Sequence, residues 1–149
     1  MGDGLSIAAI SADSIDDWLG RIDWHLNNFC ERSGGSLTID RLIEDIRERQ
    51  YQCWVVLGGE TVEACALTFL QNDATKTCVI SHCAGHNQEQ WAGQLLATIR
   101  VWSHSLGSTK LEAVTRPGWE RVLRNFGMVK THVILELKEH GKSKNNVNK

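Results

Sequence analysis

Up to about residue 50 the apolar residues recur at helical spacing, and then the period changes. Trp18, Ile22, Leu26 and Phe29 share one helical face, and so do Ile39, Leu42, Ile43 and Ile46. Tyr51 to Leu57 and Thr61 to Leu70 are instead alternating runs rich in β-branched, aromatic and apolar residues, joined by Gly58-Gly59, a two-residue hairpin signal. A chain that carries both periods must bury helix stripes on a sheet face, which restricts it to the mixed α/β classes.

The remaining punctuation extends this order. Ser14-Ile15-Asp16-Asp17 has the form of a capping box with Asp17 in the acidic position, Ser33-Gly34-Gly35 stops the first helix, and Thr38 can cap the second. The charged face from Asp40 to Arg49 reads as solvated surface. Lys76 to Cys83 supplies a third strand, and Gly85 to Gln90 a polar connection. Trp91, Leu95, Ile99, Trp102 and Leu106 then mark a third helix, closed by Gly107. Leu111 to Arg116 reads as a strand and Pro117 as the first turn of a short helix. That helix presents Trp119, Val122, Leu123 and Phe126 and stops at Gly127. Thr131 to Lys138 reads as a last strand with Val133, Leu135 and Leu137 on one face, and Leu5 to Ile10 as a leading one. The expected organisation is one domain over residues 1–139 and a disordered polar tail over 140–149.

Composition narrows the function classes. With 149 residues, 42% hydrophobic and 23% charged, the chain can bury a core without staples. A formal net charge of -2 argues against a general polyanion binder. The tail lysines Lys142, Lys144 and Lys149 read as solubilising rather than as a nucleic-acid or capsid contact. Five cysteines scattered through apolar runs do not form a disulfide framework and suit a reducing cytoplasm. No signal-peptide pattern and no membrane-length apolar run is present.

The order of elements resembles the GNAT N-acetyltransferase superfamily over roughly residues 5–138. The C-terminal third carries it most specifically, in Leu111-Glu-Ala-Val-Thr-Arg116, Trp119-Glu-Arg-Val-Leu-Arg124 and Asn125-Phe-Gly-Met-Val129. The resemblance implies two N-terminal helices, an antiparallel meander, then helix-strand-helix-strand with a splayed, V-shaped mixed sheet. It further implies acetyl-CoA in the gap, held by free strand edges and by the N-terminus of the following helix. Carried onto this chain, the cofactor-binding positions are Ser81, His82, Cys83, Gly85, Asn87, Gln88 and Arg116. The sequence departs from the family pattern in two places. The family loop has Arg or Gln, two residues, then Gly-x-Gly or Gly-x-Ala; here Gln90-Trp91-Ala92-Gly93 is only an echo, and Glu89 adds negative charge. The family's general-acid Tyr on the last helix is missing, since Tyr51 is the only tyrosine. Ser14-Ile-Asp-Asp-Trp18, Ser33-Gly-Gly35, Gln52-Cys-Trp-Val-Val56 and Arg116-Pro-Gly-Trp-Glu-Arg-Val-Leu123 resemble small GNAT-like proteins of tailed bacteriophages, including internal virion proteins.

No catalytic residue is assigned; Glu63 and His82 are the candidates for taking a proton from an amine, against readings as a surface carboxylate and a hydrogen-bonded strand-end histidine. Cys83 with His82 or His86 could form a thiol–base pair, against a structural thiol. Cys78, His82, Cys83 and His86 offer metal-ligating types, but successive strand residues face opposite ways, so no metal site is expected. Arg116 could hold a phosphate or belong to a rigid turn, and Trp119 could stack on a base or enter the core. Trp18, Trp24 and Trp54 are expected in the core rather than at an interface. The leading expectation is a catalytically degenerate GNAT-like protein of phage type. It would act through contacts with phage structural or host proteins, with no membrane partner, in the bacterial host cytoplasm or within the virion, and as a homo-oligomer if its faces self-associate. The alternative is an acyl-CoA-dependent N-acetyltransferase acting on a small amine or host protein.

Overall fold

A computed structural model describes residues 4–115 and 117–138. Strand β1 (Leu5–Ile10) leads through a 3-10 turn (Ala12–Ser14) into α1 (Ile15–Arg32) and α2 (Ile39–Arg47). Three strands follow, β2 (Gln52–Gly58), β3 (Thr61–Leu70) and β4 (Cys78–Gly85). Then come α3 (Gln88–Ser105), β5 (Leu111–Ala113) and α4 (Pro117–Arg124). The sheet runs β1-β2-β3-β4-β5 in space. Its first four strands are antiparallel, β1 reaching β2 through α1 and α2 and the next two pairs joined by short turns, whereas β5 is parallel to β4 because α3 carries the chain back across the sheet.

Strand alternation divides the interior into two cores, one per sheet face. Cys53, Val55, Cys65 and Leu67 pack with Ile22, Leu26 and Phe29 of α1 and Leu42 and Ile46 of α2. Their neighbours Trp54, Val56, Ala64 and Ala66 face the other way, onto Trp91, Leu95 and Ile99 of α3 and Val122 of α4. Trp54 is buried, with Nε1–H donating to Thr68 Oγ1 at 3.0 Å, so a large ring enters the core without an orphaned donor. Trp18 is partly buried under the Arg21 guanidinium. Trp24 departs from the expected burial: it is 51% exposed, on the outer side of α1.

Most element ends follow the local chemistry. Thr38 Oγ1 accepts from the Arg41 N–H at 3.2 Å, a formed N-cap. Gly107 and Gly127 take φ of +95° and +93° beyond the ends of α3 and α4, where a side chain would be strained. The capping box at Ser14 is not formed: the preceding 3-10 turn holds Ser14 at φ -101° and ψ -3°, and Ser11 Oγ–H donates to its hydroxyl instead. The β2–β3 turn is Gly59-Glu60, one residue later than Gly58-Gly59, with Gly59 at φ +66°. Strand β4 runs two residues past Cys83, and α3 starts at Gln88 inside the expected loop.

The C-terminal segment departs most. Residues 131–138, expected as a strand, pair with nothing among the described residues, and Val133, Ile134, Leu135 and Leu137 are 67–89% exposed. The sheet therefore ends at β5, a short strand whose ladder covers Leu111–Ala113 rather than reaching Arg116. Arg116 and the tail 140–149 lie outside the described residues.

Candidate functional site

The site begins with one extra residue in β4. Leu67 pairs with His82 and Thr68 with Ile80, so Ser81 has no partner of its own on β3 and forms a bulge. A bulge bends its strand, and on the opposite edge the pairing of β4 with β5 ends at Ile80 and Ala113, closed by the Val114 N–H donating to the Ile80 carbonyl at 3.0 Å. Beyond it the two strands separate. From Ser81 to Gly85, β4 keeps β3 on one side and, among the described residues, has no strand on the other.

A cavity of about 260 Å³ fills the opening. Ile80, Ser81, His82 and Cys83 form one wall, Ala113, Val114 and Thr115 another, and Phe29, Trp91, Leu95, Trp119 and Leu123 line the rest. A smaller space of about 170 Å³ lies at the N-terminus of α3, against Gly85, Gln88 and Gly118. Arg32 and Trp119 border both, so the two spaces share a rim. Asn87 begins α3 in the left-handed conformation, at φ 58°, with no side-chain cap, which leaves first-turn N–H groups free of a side-chain acceptor. A mainly apolar slot thus opens onto a helix N-terminus with an arginine beside it.

Chemistry in the slot centres on His82. Its Nδ1 lies 2.9 Å from Ser81 Oγ, which also lies 3.3 Å from the Leu67 carbonyl. A hydroxyl has one proton. When Ser81 donates it to Leu67, Nδ1–H must donate to Oγ, and Nε2 is left with the lone pair of a base. Burial holds the His82 pKa below its ordinary value of 6.5, so the ring is neutral at physiological pH. Phe29 and Tyr51 fix its plane, with ring centroids 5.2 and 5.9 Å away. Cys83 faces the opposite core, and burial pushes its thiol up to about 12, so it is a poor nucleophile at neutral pH.

No family model matches the chain. No curated protein matches it either. Solved structures do. The aminoglycoside N-acetyltransferase AAC(6')-Iy, in complex with CoA, superposes with a TM-score of 0.67 at 14% identity, covering 91% of this chain and 94% of that one. An aminoglycoside acetyltransferase from an uncultured soil metagenomic sample, in complex with sisomicin, gives 0.66 at 10% identity over 91% and 95%. A predicted acetyltransferase with acetyl-CoA from Clostridium acetobutylicum gives 0.65 at 12% over 90% and 96%. The fold is that of the GNAT acetyltransferases.

Within this GNAT fold, Ser81, His82 and Cys83 come together on the large cavity, Gly85 and Gln88 on the small one, and Asn87 lines neither but immediately precedes the helix beside it. Glu63 lines neither; its side chain lies over Gly58, where a Cβ would meet its Oε2 at 3.0 Å. His86 is turned outward against Trp24, with ring centroids 5.2 Å apart, and its carbonyl accepts from Trp91 Nε1–H at 2.7 Å. Among the described residues no three of His, Cys, Asp and Glu converge as metal ligands. Trp119 is half-buried on the rim of both spaces and 5.7 Å from Trp91, so it serves core and cavity together. Phe29 and Arg32 were not singled out for the site by sequence. The only signal at Arg32 is a cation in the last turn of α1, immediately before the Ser33-Gly34-Gly35 stop.

Proposed function

We propose that this chain binds an acyl-CoA in the β4/β5 cleft and transfers the acyl group to an amine. One observation carries the reading: an apolar slot in a splayed sheet shares a rim, at Arg32 and Trp119, with a polar space on the N-terminus of α3. That arrangement matches a ligand with an amide-rich arm and an anionic end. The open edge of β4 beyond Ile80 offers backbone groups to the arm. The first-turn N–H groups of α3 and the Arg32 guanidinium suit phosphate. That AAC(6')-Iy and the Clostridium acetobutylicum protein were solved with CoA and acetyl-CoA supports the reading.

An acyl-CoA supplies a thioester carbonyl. An alkylamine is protonated at neutral pH and must first lose a proton, and neutral His82 accepts it at Nε2, directly or through a water. The amine nitrogen then bonds to the carbonyl carbon, the carbon–sulfur bond breaks with its electron pair passing to sulfur, and the second proton shed by the nitrogen goes to the departing thiolate, directly or through water, to give the amide and free thiol.

Thermal unfolding with and without millimolar acetyl-CoA tests the binding. A ligand held only by the native state adds about 2.7 kcal/mol at one hundred times its dissociation constant. A rise in Tm is expected, reduced in Gln88→Glu, which places a second carboxylate in the first turn of α3. An unchanged Tm at millimolar ligand overturns the proposal. A CoA-dependent acetylation assay against amines and host lysate then tests transfer.

A second reading keeps the fold without the chemistry: a degenerate domain acting by protein contact as a virion or assembly component of a phage. Glu89 in the first turn of α3 and an α4 without tyrosine favour it. Absence of the protein from purified particles and from assembly intermediates would sink it.

A further inference from the structure

We infer that the acyl group carried by this site is longer than acetyl, a medium-length aliphatic chain buried between the sheet and α3 on the face away from His82. The inference rests on the acyl-transfer reading and adds to it the class of donor.

The slot does not stop where the strands part. Ile80 and Ala113 form the last rung of the β4–β5 ladder, and both line the large cavity, so the space continues along that rung. There it meets Leu95 and Leu96 of α3 and Leu123 of α4. All five of these side chains are aliphatic. The polar side chains of the lining come from elsewhere: Arg32 and Ser33 from the end of α1, Ser81 and His82 from β4 beyond the rung, and Thr115 from the chain beyond β5.

The two ends of the slot lie on opposite faces of the sheet. His82 pairs with Leu67 and stacks near Phe29 of α1, whereas Ile80 and Ala113 belong to the core against α3. The anionic end of a CoA belongs at the small space by Gly85 and Gln88, and its arm then follows the open edge of β4 toward Ser81. With the amine held by His82 on the α1 side, the chain on the thioester carbon is directed past Ile80 onto the aliphatic end. An acetyl group stops short of it and leaves that end either empty or holding water that its side chains cannot hydrogen-bond. Its depth is set by α3. Leu95 and Leu96 stand one turn beyond Trp91 and Ala92, about 5.4 Å along the helix. Extended carbon–carbon bonds cover that distance in about four steps. A hexanoyl group therefore fills the end. Ile99, a further turn along, is fully buried and does not line the cavity, which closes it.

Isothermal titration of the full chain with acetyl-, butanoyl- and hexanoyl-CoA tests this. A methylene moved from water onto an apolar wall adds about fourfold in affinity, so hexanoyl-CoA is expected to bind at least about tenfold more tightly than acetyl-CoA, with butanoyl-CoA between them. A smaller ratio, with acetyl-CoA itself bound, overturns the proposal and leaves the acyl-transfer reading standing. Binding of none of the three overturns both. Ala113→Leu fills the aliphatic end and is expected to bring the ratio close to one. An undiminished ratio in that variant overturns the proposal too, because the chain then lies elsewhere. Should Ala113→Leu not fold, Leu96→Phe at the half-buried neighbouring position is read in the same way.

Discussion

At the scale of single residues, the structure separates groups that the sequence leaves side by side. His82 and Glu63 are equal candidates on paper, yet only His82 lines the cavity. His82→Gln is expected to lower kcat about 100- to 10,000-fold while keeping the acetyl-CoA shift in Tm, because it removes a proton acceptor and not a binding wall. Steady-state rates against pH check the assignment. Burial lowers the His82 pKa, so the acid limb should fall below pH 6.5 and vanish in the variant. His25 makes a related prediction for stability. It is buried, its Nε2 lies 3.3 Å from the Val62 carbonyl and its Nδ1 has no partner, and burial lowers its pKa below 6.5. Between the lowered pKa and 6.5 the unfolded chain binds protons that the native chain does not, so stability is intact above 6.5 and is lost as pH falls below it. Denaturant melts from pH 7.5 to 5 should show a decline of at most about 1.4 kcal/mol per pH unit for each such histidine. His25→Leu should flatten part of it. Arg32 shows where sequence reading stops: a cation at a helix end is ordinary, and its meaning comes only from Gly85 and Gln88 arriving beside it across the fold.

At the scale of elements, helix faces, turn glycines and the strand runs of the meander were legible because each is a local pattern, whereas the equally strand-like run 131–138 forms no ladder among the described residues. Thr38→Ala should cost about 1 kcal/mol, read as a drop in the urea midpoint, since the Oγ1 cap on the Arg41 N–H is formed. No comparable loss is expected for Ser14→Ala, whose capping box is pre-empted by the 3-10 turn. What stayed hidden were defects of pairing. A bulge needs a partner strand to be counted against, and neither Ser81 nor its neighbours carry a local mark of one. Close packing behaves the same way. A Cβ at Gly85 would sit 2.4 Å from Ala64 Cβ and 2.6 Å from the Glu63 carbonyl. Gly85→Ala should therefore destabilise by about 1–3 kcal/mol with no ligand present, which makes Gln88→Glu the cleaner probe of binding.

At the scale of the whole molecule, the two cores on either face of one sheet were foreseeable from the change of period, whereas the cleft between them was expected only from the family resemblance and from no local pattern. A cavity is where ladders end and layers part, so it belongs to no segment of sequence. The same layering protects the thiols: Cys53, Cys65 and Cys78 are buried, and should resist a thiol reagent until the chain unfolds, as intact-mass labelling would show. The bulge in β4 has a consequence for how such a molecule could arise. Ser81 is surplus to the pairing of β3 with β4, so its loss would leave Ile80 opposite Thr68 and His82 opposite Leu67, with every neighbouring side chain still on its present face. A deletion of one codon is therefore expected to straighten the strand and narrow the opening on its β5 side while sparing both cores.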